Sequence, residues 1–124
     1  MKQLIFIALG GSVGAVMRFV VSSNIHRLAG REFPYGTLSV NVIGSLFMGF
    51  LYIILIERSS LSAEWRSLLI IGFLGAFTTF STFSIETLNL LESGEFLKAA
   101  SNILLSVILC ITAAWLGLLI GRQM

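Results

Sequence analysis

At 124 residues the chain is long enough for one domain. With 56% hydrophobic residues and 11% charged, it falls far below the about 25% charge of a soluble domain, so an ordinary soluble protein is excluded. The net charge of +2 comes with no run of basic residues, which leaves no nucleic-acid surface.

Mean hydropathy of +0.97 points to an integral membrane protein. A transmembrane helix needs about 20 mostly apolar residues. Four such stretches follow one another at 3–23, 36–56, 66–90 and 98–121, giving an all-α, polytopic fold in a single transmembrane domain over 1–124.

Span one opens on Met-Lys and stays apolar through Val21. Small residues at helix-packing spacing make it a retained span rather than a cleaved leader. Its fixed cation, Arg18, has two readings: it snorkels to the interface, or it makes an electropositive vestibule that draws anions in. The first connection, Asn24 to Pro34, holds a solvated His26. Pro34 stands where a proline opens a helix without losing an internal bond.

Span two carries Asn41. Thr37, Asn41, Gly44, Ser45 and Met48 share one face at i, i+3 and i+4 spacing. That face either lines a hydrophilic path or bonds a neighbouring helix. The second connection runs from Glu57 to Arg66, and Ser62 with Trp65 marks the start of span three.

Span three is the most informative. Between Gly72 and Glu86, five of fifteen residues carry hydroxyls and one is a carboxylic acid. An unpaired polar group in hydrocarbon costs several kcal/mol, so such a stretch faces a bundle interior or a water-filled path. Phe80 and Phe83 lie on nearly one side, with Ser81 and Thr82 between them. Ring edges are electropositive and suit an anion. The alternative is that the rings pack and each hydroxyl returns to a carbonyl one turn earlier. Gly72, Gly75 and the pair Thr78-Thr79 weaken the helix ladder, which predicts a break near 75–79. Freed carbonyls there suit a cation, or the glycines serve packing alone. Glu86, one turn after Thr82, pairs with a donor or with Arg18, or else is a polar-face residue near the mouth of the path.

The third connection is Glu92 to Lys98. Span four holds the chain's one cysteine, Cys110, read as an inert buried thiol. No metal cluster, nucleophile with its base, or phosphate loop is present, so the chain is not read as an enzyme.

Four spans put both ends of the sequence on one side. That side carries Lys2, Arg58, Arg66 and Arg122; the other carries Arg27, Arg31 and Lys98, and Arg18 where it counts as flanking. The balance gives almost no orientation signal, which suits a chain that inserts either way up and pairs with an inverted copy; the alternative is a single orientation set by something the count misses. The small residues Gly10-xxx-Gly14, Ser45-xxx-Gly49 and Gly117-xxx-Gly121 suit close helix contacts, within the chain or between copies.

Three blocks then stand out in order: Gly14-Ala-Val-Met-Arg18-Phe19, Pro34-Tyr-Gly-Thr-Leu-Ser-Val-Asn41-Val-Ile-Gly44-Ser45, and Gly72-Phe-Leu-Gly75-Ala-Phe-Thr78-Thr-Phe80-Ser-Thr-Phe83-Ser-Ile-Glu86. They resemble the signature blocks of the CrcB/Fluc fluoride channels, and span four agrees in length and character. The resemblance implies a dual-topology antiparallel homodimer with two separate pores. It implies pores lined by the ring edges of Phe80 and Phe83, with Asn41 donating to the ion. Ser81 and Thr82 would belong to a polar track, Glu86 would lie near its end, and Arg18 would sit at the vestibule. Gly75 and Thr78 would give backbone carbonyls from both subunits to a structural sodium at the dimer centre. The function implied is passive export of cytoplasmic fluoride, lowering its toxicity, from a bacterial inner membrane.

A small dual-topology proton-coupled multidrug/cation antiporter shares the size, span count and charge balance. Its essential acid belongs in the first span, where this chain has no Asp or Glu. A non-transporting scaffold would leave the polar faces of spans two and three unexplained.

Overall fold

The computed structural model describes residues 1–58 and 61–124. Ser59 and Ser60, within the second connection, lie outside the described residues. Regular structure among the described residues is entirely helical.

Helix α1 (Lys2–Ala29) has 28 residues, about 42 Å of helix against a hydrocarbon core of about 30 Å. It stops at Gly30, whose φ of 89° lets its N–H return to the His26 carbonyl. Helix α2 (Tyr35–Tyr52) starts directly after Pro34 and runs on as π-helical turns over Ile53–Glu57. The third stretch begins as α3 (Ala63–Arg66), widens into π-helical turns over Ser67–Leu74, and closes as α4 (Gly75–Phe77). Thr78 and Thr79 are extended, with ψ of 159° and 120°. Helix α5 (Phe80–Glu92) then begins, and α6 (Phe96–Gln123) completes the fold.

Four stretches, Lys2–Ala29, Tyr35–Glu57, Ala63–Glu92 and Phe96–Gln123, are long and apolar enough to cross a membrane. Each predicted span falls inside one of them.

Two seams of close backbone approach hold the bundle. Helix α2 lies along α6, and α1 lies along the π-helical stretch Ser67–Leu74. A Cβ at Gly49 would strike the Ala114 carbonyl, and one at Gly117 the Leu46 carbonyl. A Cβ at Gly10 or Gly14 would strike the carbonyls of Leu68 or Phe73. These four glycines therefore serve contacts within the chain, where van der Waals packing replaces the hydrophobic effect that lipid does not supply.

The fully buried apolar core is small, built on Val40, Ile53 and Leu74. Much of the remaining apolar surface, including Leu4, Phe19, Ile111 and Trp115, is exposed, as a lipid-facing surface is. Helix α5 has the thinnest support: among the described residues its backbone packs closely only against α6 and α2.

Candidate functional site

The site begins with what the backbone does after Phe77. Thr78 sends both its N–H (3.1 Å) and its hydroxyl (2.9 Å) to the Leu74 carbonyl. In a continuing helix the Thr79 N–H would return to the Gly75 carbonyl. It goes instead to Asn41 Oδ1, at 2.8 Å, while Asn41 Nδ2 donates to the Thr79 carbonyl at 3.0 Å. One side-chain amide on α2 thus satisfies both polar groups of an extended residue at a depth where water is scarce.

Thr79 then caps the new helix: its Oγ1 accepts the Thr82 N–H at 3.2 Å. The same oxygen lies 3.1 Å from Thr82 Oγ1 and 3.3 Å from Ser81 Oγ. Three hydroxyls therefore gather at the positive end of a helix inside the apolar layer. The other hydroxyls of the stretch behave differently. Ser84 and Thr87 return to the carbonyls of Phe80 and Phe83, each at 2.8 Å.

A groove of about 400 Å³ opens beside the cap. Asn41, Ser45 and Met48 form its α2 wall; Thr79, Phe80 and Phe83 form a second wall; Ser106 and Cys110 of α6 form a third. The predicted polar face of span two is this α2 wall, except for Thr37. The Phe80 and Phe83 rings lie 5.4 Å apart, tilted by 45°. Phe80 is 80% exposed, so a single chain leaves that ring without a packing partner on most of its surface.

On the other side of Thr79 lies a smaller cleft of about 200 Å³, lined by Arg18, Ser22, Thr37, Thr79 and Thr82. Thr79 borders both clefts. Thr37 donates to Glu86 Oε1 at 2.7 Å, and the buried Oε2 of Glu86 has no protein partner. Of the two partners expected for Glu86, the structure supplies the donor. Among the described residues the one salt bridge is Lys98–Glu95, at 2.7 Å. Glu86 also lines a cleft of about 360 Å³ with His26, Arg31 and Asn89. His26 departs from its solvated reading: its half-buried ring lies over Gly36, where a Cβ would strike Nε2.

Cys110 is less buried than expected: it is half-buried and lines the groove. Two polar residues escaped the sequence reading. Asn102 of α6, 1% exposed, donates to Thr87 Oγ1 at 2.9 Å, and Ser106 Oγ lies 3.5 Å from Asn102 Oδ1. Their signal was the spacing Asn102, Ser106, Cys110, a polar i, i+4 stripe in an otherwise apolar span.

Gly75 and Thr78, expected to hold a sodium ion, stand at the two ends of α4: Gly75 opens it and Thr78 follows its last residue. Diversion of the Thr79 N–H to Asn41 leaves the Gly75 carbonyl without its usual helical donor. Backbone oxygens suit a hard cation, and the described residues hold no group of three or more His, Cys, Asp or Glu that could bind a metal in their place. The freed Gly75 carbonyl is an oxygen donor of the kind the expected sodium ion would need.

The family model described as CrcB-like protein, Camphor Resistance (CrcB), matches residues 5–118. Several similar proteins carry the name fluoride-specific ion channel FluC. The Coxiella burnetii (strain Dugway 5J108-111) protein is 57% identical over 98% of this chain and 99% of its own length. The Geobacter sulfurreducens protein is 48% identical over the full length of both. The Methylococcus capsulatus protein is 54% identical over 98% of this chain, and the chain spans 54% of that relative's length.

Proposed function

The chain belongs to the CrcB-like family, and from that premise we propose that it is a fluoride-selective passive channel that exports cytoplasmic fluoride. Its relatives' shared name describes transport rather than catalysis. The observation that carries the reading is the interruption at Thr78–Thr79, where one groove gathers Asn41, the hydroxyls of Thr79 and Ser106, and the Phe80–Phe83 pair.

Fluoride is small and strongly hydrated, so entry requires donors that replace water. Hydroxyls, an amide and ring edges do this without a fixed positive charge that would trap the ion. Conduction needs binding strong enough to admit and weak enough to release. Asn41 Nδ2 has two hydrogens and gives one to Thr79, which leaves one for an ion in the groove. Ser81 and Thr82 extend the donor track, Glu86 lies near its end, and Arg18 supplies positive potential beside the second cleft. Hydrogen fluoride crosses a bilayer neutral and dissociates inside; a passive channel then lets fluoride leave down its gradient.

The working unit is an antiparallel homodimer in the bacterial inner membrane. The balanced charges favour it, and the bare Phe80 ring and the open groove call for a second wall. A sodium ion held by the Gly75 and Thr78 carbonyls of both copies would pin the centre electrostatically. The antiporter alternative has little left: the matching family and the relatives named above do not support it, and span one here has no acid.

Fluoride efflux from liposomes carrying the purified chain tests the reading. Rapid, electrogenic, fluoride-selective flux is the expected result. Proton-coupled cation exchange would point to the antiporter, and no flux to a scaffold.

A further inference from the structure

We propose that Asn102 is a positioning residue for the pore: through Thr87 it fixes the backbone of Phe83 and so the direction of its ring. The inference rests on the channel reading above.

The connection is a relay of defined direction. Asn102 Nδ2 donates to Thr87 Oγ1 at 2.9 Å, and Thr87 Oγ1 donates onward to the Phe83 carbonyl at 2.8 Å. Asn102 is 1% exposed on a helix apolar enough to cross a membrane, where a carboxamide is costly unless it is hydrogen-bonded. Ser106 steadies its other end, with the hydroxyl 3.5 Å from Oδ1.

Helix α5 needs such a tie. It starts afresh after two extended residues, so its rotation about its own axis is not inherited from α4. Its backbone packs closely only against α6 and α2 among the described residues. The Asn41 clamp holds Thr79, before the first turn, and Thr37 holds the half-buried Glu86. The relay through Asn102 is the buried one, and it ends on the ring-bearing residue itself. Phe83 and Thr87 are i and i+4, on one face, so any rotation that frees Thr87 from Asn102 also swings the Phe83 ring.

The test uses the full chain in liposomes. Asn102→Leu keeps the branched shape of the side chain, at larger volume, and removes the donor; Thr87→Val is nearly isosteric and removes the hydroxyl. Thr87→Ser keeps the relay. Fluoride and chloride fluxes are measured together with the dimer fraction by size exclusion. The Leu and Val variants should assemble as the parent does yet show fluoride-to-chloride discrimination reduced by about tenfold, the scale of one hydrogen bond. The serine variant should keep it. The double variant should do no worse than either single one, because both cut the same relay. Unchanged discrimination in both single variants overturns the proposal. So does a loss of flux that only tracks lost dimer, or effects of the two changes that simply add. Absence of fluoride flux in the parent chain is a separate outcome, which removes the channel reading and this inference with it.

Discussion

Asn41 and Thr79, 38 residues apart, exchange two hydrogen bonds: Thr79 N–H to Asn41 Oδ1 at 2.8 Å, and Asn41 Nδ2 to the Thr79 carbonyl at 3.0 Å. A side chain here does for one residue what a neighbouring strand does in a sheet. Asn41→Ala would leave two backbone groups unpaired in an apolar layer, at a cost of about 2–5 kcal/mol. The expected outcome is a lower thermal unfolding midpoint in detergent. Asn41→Asp keeps the acceptor for the Thr79 N–H, loses the donor, and brings negative charge to the groove. Fluoride efflux should be abolished; unchanged throughput would place the Asn41 amide away from the ion's path.

The Phe80 and Phe83 rings sit in the same groove, and Phe80 is 80% exposed in the single chain. Phe80→Ile therefore removes little intrachain packing, while taking away the electropositive ring edge. Efflux of fluoride from liposomes should fall by about tenfold or more for Phe80→Ile and for Phe83→Ile, with the proposed dimer retained on size exclusion. Wild-type rates in both variants would assign the rings to packing.

Gly10 and Gly11 are neighbours on α1 with opposite tolerances. A Cβ at Gly10 meets the backbone of Leu68 and Phe73, which cannot move as a side chain does; at Gly11 the nearest atom is 3.9 Å away. Gly10→Ala should lower stability by about 1–3 kcal/mol, while Gly11→Ala should be neutral or slightly stabilising. Melting curves of the two purified variants provide the comparison.

Hydropathy made the four spans legible because the membrane imposes one rule on every residue of a span. Helical spacing likewise grouped Asn41, Gly44, Ser45 and Met48, since a shared face depends on local periodicity alone. What local periodicity cannot supply is the identity of the facing helix. That Asn41 bonds the Thr79 backbone, and that Asn102 bonds Thr87, follows from which helices become neighbours. The glycine pairs were readable as contact surfaces, yet whether they met within the chain needed the α2–α6 seam. The π-helical turns at Ser67–Leu74 had no sequence mark at all, because they reflect a register shift along the ladder rather than a residue preference. His26 misled because a charged connection reads as solvated, while the absent Cβ at Gly36 makes room for its ring.

The balance of Lys and Arg is itself testable. Lys2, Arg58, Arg66 and Arg122 stand on one side against Arg27, Arg31 and Lys98 on the other, with Arg18 added where it counts as flanking. With so little bias, a few added cations decide the orientation. Lysines appended after Met124 should drive the side bearing both ends into the cytoplasm. Lysines inserted beside Gly30, in the first connection, should drive the opposite orientation. Each variant expressed alone would offer copies facing one way and should lose fluoride efflux, since an antiparallel pair cannot form. Co-expressed, the two should restore it. Full activity from either variant alone, with uniform orientation verified by labelling of an introduced cysteine, would overturn the antiparallel arrangement while leaving the channel reading to stand on its own flux assay.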